Sequence, residues 1–112
     1  MVDSYVTDKK DIVFITFNPQ AGHEQAGHRP ALVISPKAYN KSRISDFLSI
    51  TAKIKGYPFE VLIPEGLEIK GAILVDQVKS LDWRIRQTKF ICTLPHDSFN
   101  EAIEKLSVLI SK

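Results

Sequence analysis

A polar stretch between two predicted strands brings together side chains that could perform acid-base and phosphate chemistry. It runs from Pro19 to His28, contains His23 and Glu24, and is followed directly by Arg29. An imidazole or a carboxylate can transfer protons near neutral pH when its surroundings tune its pKa. A guanidinium presents a rigid fork of donors that matches phosphate oxygens. The combination predicts phosphoryl chemistry, and a solvated surface loop is the alternative interpretation.

The spacing of the same side chains argues against a metal site. His23 and His28 lie five residues apart with Gly27 between them, whereas zinc proteases use two histidines four apart on a helix. Cys92 is the single cysteine, which excludes an internal disulfide and a multi-cysteine metal site. No glycine-rich loop ending in Lys-Ser or Lys-Thr is present for phosphate binding. We therefore expect neither a metal ion nor a cofactor.

Short strands must position this polar stretch. Apolar or alternating segments separated by turn residues predict strands over residues 11–17, 30–35, 46–52, 58–63, 71–78 and 90–94. Many short strands joined by turns are typical of a small barrel or sandwich. The sequence therefore predicts a mainly β fold.

Two helices are predicted beside the strands. Ser35 followed by Pro36 indicates an N-cap and a first helical proline, and so a short helix after the second strand, ending at Tyr39 or Asn40. Near the C-terminus, apolar side chains spaced three and four residues apart predict an amphipathic helix that packs on the sheet. Its stripe consists of Phe99, Ala102, Ile103, Leu106, Leu109 and Ile110.

Length and composition favour one small domain. The chain has 112 residues, of which 44% are hydrophobic and 25% charged, so we expect a single domain over residues 1–112. Its apolar runs are far shorter than the roughly 20 residues of a membrane span, and the first residues do not resemble an export signal. We expect a cytoplasmic protein that does not interact with membranes.

Basic side chains are concentrated in two segments, residues 37–55 and 79–89. Such segments can follow a nucleic-acid backbone, although a mixed solvated surface would look the same. Trp83 could stack on an unpaired base, but a single tryptophan is more often a core residue. Tyr57 is interpreted as part of a turn and hydrophobic edge, with base contact or dimer contact as the minority interpretation.

Several blocks of the chain together resemble the MazF/PemK family of toxin endoribonucleases, and the MazF branch more than the PemK/Kid branch. The resemblance runs in order along essentially the whole chain. It rests on residues 11–13 (Asp-Ile-Val), 17–19 (Phe-Asn-Pro), 22–31 (Gly-His-Glu-Gln-Ala-Gly-His-Arg-Pro-Ala), 55–61 (Lys-Gly-Tyr-Pro-Phe-Glu-Val) and 76–80 (Asp-Gln-Val-Lys-Ser).

The resemblance implies a fold, an activity and partners. The expected fold is the small SH3-like barrel of CcdB and PemK. The expected activity is metal-independent, ribosome-independent and sequence-specific cleavage of single-stranded mRNA by a homodimer. A MazE-like antitoxin with an acidic tail is the expected inhibitor.

The resemblance also implies roles for individual residues. The family's catalytic arginine and threonine fall on Arg29 and Thr51, and its loop glutamate falls on Glu24. His23 and Asp76 match residues implicated in the PemK/Kid branch, but Leu74 stands where that branch has an arginine. The expected RNA-binding residues are His28, Lys53, Lys55, Gln77, Lys79, Arg84 and Arg86.

RNA itself supplies the nucleophile for such a reaction, because its 2′-hydroxyl can attack the adjacent phosphate. The protein then needs a base, donors for the phosphorane and an acid for the leaving 5′-oxygen. The base stays open among His23, Glu24 and Asp76. A non-catalytic gyrase-binding inhibitor like CcdB is one alternative function. A catalytically weak RNA-binding member is another, supported by Lys10 and Ser49, where the family usually has glycine and proline.

Overall fold

The strands pair antiparallel in the order β4-β5-β3-β2-β1-β6. The computed structural model describes residues 5–17 and 28–111. Within them the strands are β1 Asp11–Thr16, β2 His28–Val33, β3 Ile44–Thr51, β4 Glu60–Leu62, β5 Ala72–Asp82 and β6 Lys89–Thr93, and the α-helices are α1 Lys37–Asn40 and α2 His96–Ile110. The predicted mainly β fold, a six-stranded half-barrel with one main helix, is confirmed.

Two strands differ from their predicted bounds, since β2 lies two residues earlier and β5 is longer. β2 begins at His28 rather than Pro30 because its first residues pair with the end of β1, where Thr16 lies opposite His28. β5 continues past Val78 to Asp82 because the first half of β3 needs a partner, and Ile44 lies opposite Asp82. Backbone pairing therefore sets the bounds of both strands and includes polar and exposed residues in them.

The two faces of the sheet carry separate apolar clusters, as the alternation of side chains along a strand requires. One face packs against α2 and has a core that includes Ile12, Leu32, Leu48, Ile50, Ile73 and Val75. The opposite face, which we call the Phe47 face, carries Val13, Ile15, Ala31, Val33, Phe47 and Trp83, with Phe17 and Leu81 packed against them.

Ser35 does not cap α1, so that prediction was wrong. Pro36 occupies the N-cap without a side-chain hydrogen bond. The Ser35 hydroxyl instead donates to Oδ1 of the fully buried Asn40 at 2.6 Å, while its Oγ accepts from the amide of Asp46 at 2.9 Å. Asn40 competes successfully for the serine because a buried side-chain amide must find partners. Its Nδ2 also donates to the carbonyl of Thr7 at 2.7 Å.

The predicted amphipathic helix is α2, which buries Phe99 and Ala102 against the sheet. Leu109 and Ile110, at the end of the predicted stripe, are exposed instead. The ammonium of Lys105 donates to the carbonyl oxygen of Glu60 at 2.8 Å, which ties α2 to the first residue of β4. Among the described residues, no helix is long and apolar enough to cross a membrane.

Candidate functional site

Arg29 and Thr51 lie on adjacent strands and on the same face of the sheet. Ala31 pairs with Ser49 across β2 and β3, so two further residues along this antiparallel register bring Arg29 opposite Thr51. Both side chains therefore lie at the end of the Phe47 face. Arg29 is exposed and Thr51 is half-buried. The two residues predicted to contact the reacting phosphate thus share one face at neighbouring strand ends.

An irregularity in β5 places Asp76 and Gln77 beside the end of β3. Leu48 pairs with Val78, but the next residue, Ser49, pairs with Leu74. Residues 75–77 consequently have no partner on β3 and form a bulge, which we call the β5 bulge. Asp76 and Gln77 are exposed on it. Bulges re-aim side chains, and this one directs two predicted site residues toward the β3 terminus.

These elements enclose a cleft of about 380 Å³, which we call the Thr51 cleft. It contains five of the predicted site residues and three residues that were assigned no site role. The lining residues are Thr51, Lys53, Lys55, Tyr57, Glu60, Leu74, Asp76 and Gln77. The lysines and the threonine hydroxyl can bind phosphate oxygens.

The hydroxyl of Thr51 is held by the chain that follows it. Its Oγ1 accepts a hydrogen bond from the amide of Lys53 at 3.1 Å, so its O–H can donate to a bound group. A turn of this kind fixes the side chain through its own backbone. Thr51 is therefore oriented as a hydrogen-bond donor at the C-terminal end of β3.

Tyr57 and Asp76 connect the two sides of the Thr51 cleft through a short hydrogen bond in which the phenol donates to Oδ2 of the carboxylate. This hydrogen bond, together with the nearby negative charge, raises the pKa of Tyr57. The phenol therefore stays protonated through neutral pH and remains a donor. Asp76, predicted as a candidate base, thus already has a partner across the cleft.

Sequence reasoning did not identify Tyr57 and Glu60 as site residues. Tyr57 was interpreted as part of a turn and hydrophobic edge, and its ring does lie edge-on to Phe59 at 6.2 Å between centroids. Glu60 is buried with 6% exposure, although charged side chains are seldom buried without partners. A lone glutamate at the start of an apolar strand was the available signal.

The remaining predicted RNA-binding residues lie outside the Thr51 cleft. Lys79 is on the Phe47 face, with its Nζ 5.8 Å from the centroid of Phe17. His28 points to the other face, where its ring lies 5.2 Å from Phe14. The loop residues His23 and Glu24 fall outside the described residues.

Two predicted arginines have structural contacts. Arg86 donates from Nη1 to the carbonyls of Thr16 and Phe17 at 3.0 and 2.6 Å, which closes the end of β1. Arg84 lies over the ring of Trp83 at 5.5 Å. Trp83 is buried, and its indole nitrogen donates to a backbone carbonyl. The core interpretation of Trp83 is confirmed, and base stacking on it is not available.

Cys92 is buried on β6, as predicted for a packing residue. Burial raises the pKa of its thiol, so the thiol stays protonated and unreactive at neutral pH. A wider cleft of about 650 Å³ lies between residues 5–11 and β6, and none of the predicted site residues lines it. Across residues 5–17 and 28–111, no group of three or more His, Cys, Asp and Glu side chains could hold a metal ion.

The half-barrel carries a polar cleft at the end of β3, lined by two lysines, two carboxylates and the Thr51 hydroxyl. Comparison with known protein families identifies the family to which the chain belongs. Residues 8–110 match the family described as the PemK-like, MazF-like toxin of type II toxin-antitoxin systems, and the chain belongs to this family.

Individual relatives agree over nearly the full length. The chain is 43% identical to the endoribonuclease toxin MazF of Escherichia coli K12 over 111 residues, which cover 98% of this chain and 99% of the relative. The crystal structure of MazF from Deinococcus radiodurans matches with a TM-score of 0.87 and 44% identity, covering 96% and 99% of the two chains. A MazE-MazF structure from the same organism matches with a TM-score of 0.85 and 38% identity, covering 96% and 97%.

Proposed function

We propose that this protein is the toxin of a type II toxin-antitoxin pair and acts as an endoribonuclease on single-stranded RNA. Membership of the PemK-like, MazF-like family and identity to an endoribonuclease over nearly the whole chain support this activity. The observation that supports it most is that Arg29 and Thr51 share one face of adjacent strands, with Thr51 also lining the Thr51 cleft.

The proposed reaction uses the 2′-hydroxyl of RNA as its nucleophile. A base removes the 2′-proton, the oxygen attacks the adjacent phosphorus, and the bond to the 5′-oxygen breaks as that oxygen receives a proton. The products are a 2′,3′-cyclic phosphate and a 5′-hydroxyl. Arg29 stabilises the charge that develops on the phosphorane, and the Thr51 hydroxyl positions a non-bridging oxygen.

The base remains one of His23, Glu24 and Asp76. Asp76 lines the Thr51 cleft, and its Oδ2 accepts from Tyr57. This oxygen is therefore already engaged in a hydrogen bond, which favours the two loop residues for this role. None of these proton transfers needs a metal ion.

The proposed partners follow from the family and the charge distribution. A MazE-like antitoxin with an acidic tail would be attracted to the lysines of the Thr51 cleft, and MazE-MazF structures are known for the Deinococcus relative. The working unit is a homodimer, because a single domain of this size offers little groove for RNA. RNA and antitoxin would both meet the protein in the cytoplasm.

A gyrase-binding inhibitor like CcdB is not favoured, because the family match and the curated relatives are endoribonuclease toxins. A weak, RNA-binding family member would keep the same fold and cleft. Only a direct assay separates that alternative from an active nuclease.

The test is to incubate the purified protein with a long single-stranded RNA in the presence of a chelator and to map the ends of the products. Cuts at discrete sequences with cyclic phosphate ends are expected. Intact RNA would overturn the proposed activity, and cleavage only after addition of a divalent cation would overturn its metal independence.

A further inference from the structure

The carboxylate of Glu60 is buried, and within residues 5–17 and 28–111 no cationic side chain forms a salt bridge with it. Its Oε1 accepts from the amides of Lys55 and Gly56 at 3.3 and 3.1 Å, and its Oε2 lies 3.2 Å from the amide of Lys55. The negative charge is thus stabilised by backbone donors, as at an anion-binding turn. Gly56 has a φ of +74°, the left-handed conformation that aims its amide inward.

These bonds fix the β3–β4 loop, residues 52–59, from within. The loop carries Lys53, Lys55 and Tyr57, which form one side of the Thr51 cleft. The ends of the loop are held by the bond from the Lys53 amide to Thr51 Oγ1 and by the bond from the Val75 amide to the carbonyl of Phe59 at 2.9 Å. Its middle is held by the Tyr57 hydrogen bond to Asp76 and by the bond from the Glu60 amide to the carbonyl of Tyr57 at 3.1 Å. These two central bonds depend on where residues 55 and 56 lie, so Glu60 controls the shape of this side of the cleft.

The backbone of Glu60 is itself anchored to β5 and to α2. Its backbone pairs with Leu74 of β5, and Lys105 of α2 donates to its carbonyl oxygen. The side chain therefore projects from a rigid strand into an otherwise exposed loop, which is the arrangement of a support for binding residues. We infer that Glu60 is a positioning residue for RNA: its carboxylate holds the β3–β4 loop so that Lys53 and Lys55 meet the RNA backbone.

This inference rests on the proposed function. It predicts a change in RNA affinity opposite in sign to the change that net charge alone would produce. Glu60→Gln removes a negative charge, which by long-range electrostatics alone would tighten RNA binding. The amide group of glutamine offers one acceptor where the carboxylate offers two, so the loop amides lose part of their anchor. We therefore expect weaker RNA binding from a more basic protein.

The experiment measures binding of a random-sequence single-stranded RNA oligonucleotide whose 2′-hydroxyls are methylated, so that it cannot be cleaved. Fluorescence anisotropy gives Kd for the wild type, for Glu60→Gln and for Glu65→Gln, an exposed glutamate outside the Thr51 cleft with the same charge change. The expected result is a Kd raised about three- to tenfold for Glu60→Gln and not raised for Glu65→Gln.

Salt dependence separates positioning from general loosening of the fold. For every phosphate that a lysine no longer neutralises, the slope of log K against log salt should become shallower by about 0.7 for a single strand. Glu60→Gln should flatten this slope and should add nothing to a Lys53→Ala/Lys55→Ala double variant. On cleavable RNA the same change should appear in KM, with kcat nearly unchanged.

Gly56→Ala tests the same hydrogen bond from the donor side if the glutamine variant does not fold. A Cβ there meets no atom within 4 Å, so the substitution acts through the positive φ alone. It should also raise Kd and flatten the slope. Wild-type affinity in both variants overturns the inference but leaves the proposed function intact, whereas a wild type that neither binds nor cuts RNA overturns both.

Discussion

Gly71 lies directly against the main-chain carbonyl of Thr51. A Cβ added to Gly71 would come within 2.1 Å of that oxygen, and the φ of Gly71 is +132°. The start of β5 can therefore approach the end of β3 only because residue 71 has no side chain. The position of Thr51 at the cleft depends on this approach.

Gly71→Ala should displace the end of β3 and destabilise the fold by at least about 2 kcal/mol, the sum of overpacking and backbone strain. Thermal unfolding measures this loss. Gly66→Ala is the matched control, since Gly66 also has a positive φ, at +96°, but a Cβ there meets no atom within 4 Å. Equal effects of the two substitutions would show that φ alone, and not contact with Thr51, is responsible.

Arg29→Lys should lower kcat/KM by about a hundredfold or more, although the positive charge is kept. An ammonium cannot reproduce the planar fork that matches two phosphate oxygens. Because Arg29 is exposed, its thermal unfolding should change little. A lysine variant that cuts RNA at the wild-type rate would show that charge alone is needed at residue 29.

Thr51→Val keeps the shape of the side chain and removes its hydroxyl. The amide of Lys53 loses its acceptor, and the bound phosphate loses a donor, so kcat should fall by about 10² or more. Thr51→Ser keeps the hydroxyl and should retain most of the activity. Product formation under saturating RNA gives kcat for both variants, and a fully active valine variant would remove Thr51 from the proposed mechanism.

Asp11 should make stability depend on pH in a defined direction. Burial raises the pKa of this carboxyl, and the hydrogen bond from Tyr5 at 2.7 Å opposes the shift only in part. A raised folded-state pKa contributes stability that is fully present below the unfolded pKa, about 4, and is lost as pH rises through the folded value.

Asp11→Asn keeps an acceptor for Tyr5 without the buried charge, so the wild type should lose stability relative to this variant as pH rises above about 4. Urea unfolding at several pH values measures the difference. The prediction fails if the difference is independent of pH, or if the wild type gains on the variant toward neutral pH.

Local patterns were sufficient for most of the fold. Phe47, Leu48 and Ile50 of β3 are buried, and β3 was predicted within about two residues of its observed ends. The apolar stripe correctly identified α2, although only its first part is buried. The last residues of β5 were missed because Lys79 and Ser80 are exposed and polar. Their place in the sheet is set by pairing with Asp46 and Phe47, which are distant in sequence.

The candidate site was predicted only where the chain resembles known toxins. The individual residues Thr51, Asp76 and Gln77 were identified, but their proximity depends on the β5 bulge, which no local sequence pattern predicts. The roles of Tyr57 and Glu60 depend on contacts across that cleft. Tertiary contacts of this kind are not encoded in the spacing of residue types.

The β5 bulge also changes the parity of its strand. Ile73 and Val75 face the core under α2, whereas Lys79 and Leu81 face the opposite side with Phe17, although all four residue numbers are odd. An uninterrupted strand of the same sequence would send Lys79 and Leu81 toward the wrong core. Because three residues of the β5 bulge have no partner on β3, the two halves of β5 contribute side chains to opposite apolar cores. A shortened chain could keep that frame only by removing an even number of residues from the bulge.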